Sequence, residues 1–179
     1  KDITISLSLE KYLGKELDDQ KLKAYFEQNK AAYDETEVKA SHVLVDTRTM
    51  KTDEELAQAK DKINKAKADV VAGKDFADIA KQYSDCPSKE KGGDLGFFKR
   101  KGQMVEPFAA AAFALKIGQI SDPIKTNFGY HIIKVTEIKQ GKDVKFDDIK
   151  QNVKQDILQE KAQVLISQLR QKAKIDIKA

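Results

Sequence analysis

Two apolar, β-branched runs bound one long stretch of this chain. They are Val38-Lys39-Ala40-Ser41-His42-Val43-Leu44-Val45 and Phe128-Gly129-Tyr130-His131-Ile132-Ile133-Lys134-Val135, and each holds one of the only two histidines. Runs of this kind read as strands. The residues between them read mostly as helices. Thr52 followed by Glu55 has the form of a capping box, and the helix that follows places Leu56, Ala59, Ile63, Ala66 and Val70 on one stripe. Gly73 is placed to end it. Phe76, Ile79, Ala80 and Tyr83 predict a second, shorter helix. Gly92, Gly93 and Gly96 bracket a tight turn into a short strand over 95–98. Pro107 suits a first helical position, leading into a helix over 108–115. Gly118 and Pro123 punctuate the approach to a hairpin whose strands are 124–126 and 130–138, joined across Asn127-Phe128-Gly129. A chain with strands on both sides of its helices is expected to be α+β.

The ends follow a different pattern. Residues 3–9 alternate Ile3, Ile5, Leu7 and Leu9 with Thr4, Ser6 and Ser8, which predicts a strand or the tail of a helix. Asp18 and Asp19 precede a predicted helix with Leu22, Tyr25, Phe26 and Tyr33 on one face. After Gly141, Phe146, Ile149, Val153, Ile157, Val164, Leu165 and Leu169 keep helical spacing, with Asp147 and Asp148 in the favourable first turn. Ile175 and Ile177 close the chain in a short alternation. A stripe this long cannot bury itself. Residues 1–36 and 140–179 are therefore expected to fold together, with 37–139 inserted between them; the alternative is two loosely attached helices.

Charge narrows the partners. The 33 basic and 29 acidic residues are interleaved, so no Lys/Arg block marks a nucleic-acid surface. No nucleic-acid partner is expected. Cys86 is the single cysteine, which excludes an intramolecular disulfide. One cysteine and two dispersed histidines lack metal-ligand spacing, so neither metal nor cofactor is expected. The glycines at 92–96 lack the Lys-Ser/Thr ending of a phosphate loop. No apolar run reaches membrane-spanning length. The sequence starts at Lys1 with no Met and no signal sequence, which fits a mature protein or an excised fragment.

The order of separated motifs carries a resemblance. Between the histidine strands lie Ser84-Asp85-Cys86-Pro87, Gly92-Gly93-Asp94-Leu95-Gly96-Phe97-Phe98 and Met104-Val105-Glu106-Pro107-Phe108. Together these resemble the parvulin family of peptidyl-prolyl cis/trans isomerases (rotamases) over residues 37–139. The flanks, including the 17–30 run, more loosely resemble those of SurA- and PrsA-like exported foldases, where helices on both sides of the parvulin unit form a chaperone module. If that holds, most of the amino-terminal lobe lies outside this chain. The resemblance implies a four-stranded antiparallel sheet with packed helices, plus a helical module from both termini.

It also implies site roles. Leu95, Met104 and Phe108 are expected to line a proline socket, with Phe98 nearby; the alternative is that all four are ordinary core residues. His42 and His131 match the two family histidines on neighbouring strands, where imidazoles hydrogen-bond through fixed tautomers. Thr126 matches the family hydroxyl that completes this network; otherwise it is a plain strand residue. Cys86 matches a Cys or Asp beside the substrate amide. Two alternatives stand, a Cys/His hydrolase nucleophile and an inert buried thiol.

The implied activity is isomerisation of X-Pro bonds in unfolded or exported polypeptides, without a covalent step and with chaperone activity. The alternative is a catalytically weak chaperone that uses the fold as a peptide-binding scaffold. No phosphate requirement is expected, because Asp46-Thr47-Arg48-Thr49-Met50-Lys51 offers a single Arg beside an Asp. The resemblance places the protein in the periplasm or outer cell envelope, with self-association through the helical flanks as a further expectation; membrane tethering is left open.

Overall fold

The computed structural model describes residues 17–172, with side chains to 169. The predicted alternations at 3–9 and at Ile175 and Ile177 lie outside the described residues. Two compact units divide the chain. One is Ala31–Lys142; the other joins the segment ending at Lys30 to the segment beginning at Asp143.

The central unit holds β1 (Glu37–Asp46), α2 (Asp53–Val71), α3 (Phe76–Tyr83), β2 (Asp94–Lys99), α4 (Glu106–Ala114), β3 (Ile124–Lys125) and β4 (Gly129–Lys139). The strands form one antiparallel sheet in the order β2-β1-β4-β3. The α+β expectation of a four-stranded sheet with packed helices therefore holds. Its two central strands are the histidine runs, and both are apolar on both faces because helices cover both.

On one face Val43, Val45 and Ile132 meet Ala59, Ile63, Ala66 and Val70 of α2 and Phe76, Ile79 and Ala80 of α3. On the other, Val38, Ala40, Ile133 and Val135 meet Phe98 and α4's Phe108 and Ala112. Each fully buried Ile or Phe contributes roughly 1.5–3 kcal/mol. A bulge supports this second layer. Lys39 pairs with Glu137 and Ala40 with Val135, so Thr136 is skipped, and its hydroxyl donates to the Lys39 carbonyl at 3.1 Å. The extra residue brings Val135 and Ile138 to the same side.

Local signals act as read. Thr52 and Glu55 close a reciprocal capping box at the start of α2. At the start of α3 the structure adds a cap the sequence reading did not single out, Asp75 accepting the Ala77 and Asp78 amides. Two readings are corrected. Glu106, not Pro107, opens α4, with Val105 in extended backbone before it; Pro107 still wastes no hydrogen bond, since first-turn amides have no helical partner. Tyr33 is not on the first helix. That helix stops at Gln28, capped by Asn29, and Tyr33 lies in the other unit with Lys101 Nζ 5.1 Å from its ring centre.

In the terminal unit α1 (Asp19–Gln28) buries Leu22 and Phe26, and α5 (Phe146–Lys172) buries Val153 and Ile157. The Phe26 and Phe146 rings lie 5.9 Å apart, Tyr25 donates to Glu160 at 2.6 Å, and Lys150 donates to Asp19 at 2.5 Å. Farther along α5, Val164 and Leu169 are each 56% exposed. No helix among the described residues is long and apolar enough to cross a membrane.

Candidate active site

The sheet register sets the histidines. His42 pairs with Ile133 and Leu44 pairs with His131, so the two imidazoles are diagonal neighbours on the α4 side of the sheet. Two glycines let other segments close on them. Gly93 (φ +81) gives its carbonyl to the His42 amide at 2.9 Å, and a Cβ there would lie 2.3 Å from the His42 carbonyl oxygen. Gly129 (φ +145) opens β4 where a Cβ would lie 2.0 Å from the Val45 carbonyl oxygen.

The imidazoles form a closed chain. His42 Nδ1 and His131 Nδ1 are 3.3 Å apart, His42 Nε2 is 3.1 Å from Ser88 Oγ, and His131 Nε2 is 2.8 Å from Thr126 Oγ1. One tautomer pair, assigned from the heavy-atom geometry, satisfies every group in this chain. Thr126 Oγ1 already accepts the Phe128 amide at 3.1 Å, and among the described residues its proton has one acceptor, His131 Nε2. His131 Nδ1–H then donates to His42 Nδ1, and His42 Nε2–H donates to Ser88. Burial holds His42 down to about 4; burial first, and then the neighbouring His42, does the same to His131. The pair is neutral at physiological pH. All four ring nitrogens are engaged, so neither is free to deprotonate Cys86. That argues against the Cys/His hydrolase alternative.

Over this chain lies an apolar cleft of about 450 Å³. Leu95, Met104, Val105 and Phe108 supply the greasy wall, and His42, Leu44 and His131 line it from the sheet. Phe108 links the halves: its ring meets His42 edge-on at 5.7 Å and His131 at 5.4 Å. Cys86 lines the cleft, half-buried, at the start of the 3₁₀ turn Pro87–Lys91. Ser84 fixes that turn, since its hydroxyl oxygen accepts the Leu44 amide at 3.1 Å and the Cys86 amide at 3.3 Å.

Of the eight residues named from the sequence, His42, Cys86, Leu95, Met104, Phe108 and His131 line this one cleft. Phe98 is corrected, whereas Thr126 stands outside the cleft but at the network position expected of it, 2.8 Å from His131 Nε2. Phe98 is 1% exposed and packs behind Phe108 at 6.0 Å, so it backs the socket rather than lining it. Thr126 is buried behind His131. Ser88 escaped the sequence reading because a serine in a polar loop carries no periodicity.

At the rim the sequence showed Arg48 beside Asp46 but not their neighbours. Arg48 donates to the Asp46 carboxylate and stands 5.5 Å from the Phe128 ring centre. The Arg48 hydrogen bond holds the Asp46 carboxyl below its usual range. Asp85 accepts from Lys62 at 3.0 Å and from the Asp46 amide at 2.9 Å. Each rim charge is thereby matched. Only adjacency in space reveals this, since Lys62 and Asp85 are distant in sequence. Among the described residues no His/Cys/Asp/Glu group has the arrangement to hold a metal ion.

The PPIC-type PPIase domain (rotamase) matches residues 42–137. Foldase protein PrsA 1 of Bacillus cereus is 43% identical over 162 residues, covering 90% of this chain and 49% of that protein. Foldase protein PrsA of Bacillus subtilis is 41% identical over 166 residues, covering 89% and 50%. The chain thus spans about half the length of the curated relatives it matches. Among solved structures, PrsA from Bacillus anthracis superposes with a TM-score of 0.54 at 34% identity, covering 99% of this chain and 75% of that one. A family domain spanning more than half of the sequence, on the fold and histidine pair described above, means that the chain belongs to the PPIC-type, parvulin family of peptidyl-prolyl isomerases.

Proposed function

We propose that the cleft isomerises X-Pro peptide bonds in unfolded polypeptides, without a covalent intermediate. One observation carries this reading: an apolar cleft walled by Leu95, Met104 and Phe108 sits directly against a neutral, fully hydrogen-bonded histidine pair. Rotation about a peptide bond faces a barrier of about 18–20 kcal/mol from amide resonance. A catalyst needs to seat the ring, remove water and favour the twisted amide. Leu95, Met104 and Phe108 seat the pyrrolidine. Cys86 lies beside the reacting amide, where local negative potential disfavours the planar, conjugated carbonyl. The histidine network orders the floor and moves no proton, since every ring nitrogen is held. The test is a coupled assay on short Ala-Pro peptides. Acceleration by the chain, reduced by substitution at Met104 or Phe108, supports the reading; a folded protein with no acceleration refutes it.

The matched rim charges support indifference to phosphate. Arg48 is engaged by Asp46, so it makes a poor clamp for an anion. A phosphoserine-Pro peptide turned over a hundredfold faster than its plain counterpart would overturn this.

A second role has its own support. Val164, Ile166 and Leu169 on α5 are exposed apolar side chains that suit binding of unfolded chains. The terminal helices then act as a chaperone module, and the central unit need not turn over rapidly. Suppression of aggregation by the whole chain that persists when the cleft is inactivated would separate the two roles. The similarity of the flanks to exported foldases supports action outside the cytoplasm, at the bacterial cell envelope.

A further inference from the structure

Beyond Val105 the cleft has a neighbour. A second concavity of about 530 Å³ is lined by Val105, Glu106, Pro107, Lys125, Thr126 and Asn127. Val105 borders both, so an extended chain leaving the socket on that side runs directly into it. Its far wall is β3, the last strand of the sheet, and no described strand pairs with its outer edge.

The hairpin decides what that edge offers. Thr126 and Gly129 exchange both main-chain hydrogen bonds, at 2.8 and 3.3 Å. In an antiparallel ladder such pairs alternate with non-bonded ones. The next pair, Lys125 with Tyr130, is therefore non-bonded, and Ile124 with His131 is bonded again. The amide and carbonyl of Lys125 consequently point away from β4, toward the open edge. Pro123, two residues earlier, brings no amide proton, as suits an edge. The Lys125 side chain lies near the Tyr130 ring, 5.7 Å from its centre, on the neighbouring strand. One donor and one acceptor are thus left outward beside an open groove.

We propose that a polypeptide bound at the prolyl cleft continues past Val105 and adds one residue to the β3 edge, through the main chain of Lys125. This rests on the isomerase reading of the cleft. The edge contact is blind to side chains, as main-chain recognition by strand addition is. It would let the enzyme hold diverse unfolded chains through backbone alone while the socket reads proline. Glu106 does not repel an acidic client there, because Arg100 holds its carboxylate at 2.5 and 2.8 Å.

The experiment is an amide NMR titration of the whole chain with two peptides sharing one Ala-Pro core, one of four residues and one of eight. The expected result has the cleft signals of Leu95, Met104 and Phe108 moving with both. The Lys125 amide moves downfield and exchanges more slowly only with the longer peptide. That peptide should bind roughly three- to tenfold tighter, the value of about one net hydrogen bond. Lys125→Pro should erase this advantage, while Lys125→Ala, which keeps the main chain, should preserve it. Longer peptides carrying a single N-methyl group, scanned along the backbone, test the same contact without any protein variant; one methyl should remove the advantage. Cleft signals that move while Lys125 stays still, with equal affinity for both lengths, overturn the edge contact and leave the isomerase reading intact. No movement at either place overturns both.

Discussion

Acidification tests the histidine pair most directly. In the folded chain burial holds both imidazoles to about 4, whereas free histidine titrates near 6.5. Between those values the unfolded chain binds protons that the folded one does not. Stability therefore rises with pH across the window and falls on acidification. The contribution is fully present above about pH 6.5, lost progressively toward 4, and flat below. A shift of this size in one histidine corresponds to about 3 kcal/mol, and to about 6 for both. Domains of this size are stable by about 5–15 kcal/mol, so the loss is a large fraction of the whole. Carboxylates such as Asp46 and Glu106, also held low by their partners, add to acid sensitivity and must be subtracted. The control is the double variant His42→Asn and His131→Asn, whose amides hydrogen-bond but do not titrate here. Urea unfolding at pH 7.5, 6, 5 and 4 gives the difference between the two proteins. That difference should fall by several kcal/mol between pH 7 and 4. A flat difference, or ring-nitrogen NMR showing either histidine titrating near 6.5, would refute a buried neutral pair.

Thr126→Val keeps the shape but strands His131 Nε2 and the Phe128 amide; it should lower stability by about 1–3 kcal/mol and shift the tautomer balance seen in ring-nitrogen spectra. An unchanged spectrum would remove Thr126 from the network. Phe108→Ala should lower kcat/KM at least tenfold and destabilise by about 3–5 kcal/mol, because the ring both lines the socket and packs on Phe98 and the two imidazoles. Phe98→Leu, behind the wall, should cost stability while leaving kcat/KM within about threefold, and a larger loss of kcat/KM would place Phe98 in contact with substrate. Cys86→Asp should retain most activity and Cys86→Ala should lose it; equal activity would end the electrostatic role for Cys86.

Local sequence determined a good deal of this protein. The capping box at Thr52 and Glu55, the α2 stripe ending at Val70, the two histidine strands and the closing hairpin all rest on spacing between near neighbours, and periodicity records such spacing. The motif order also delivered six residues that meet in one cleft. Tertiary structure alone decided the rest. Whether Phe98 faced substrate or stood behind Phe108 depended on strand depth, which residue type does not encode. Ser88 became a histidine partner, and Lys62 came to neutralise Asp85, only because the chain folds those positions together. The outward amide of Lys125 follows from hydrogen-bond parity counted from the hairpin turn. A sequence specifies its own backbone preferences, but contacts between distant groups exist only after the sheet has fixed which faces and edges meet.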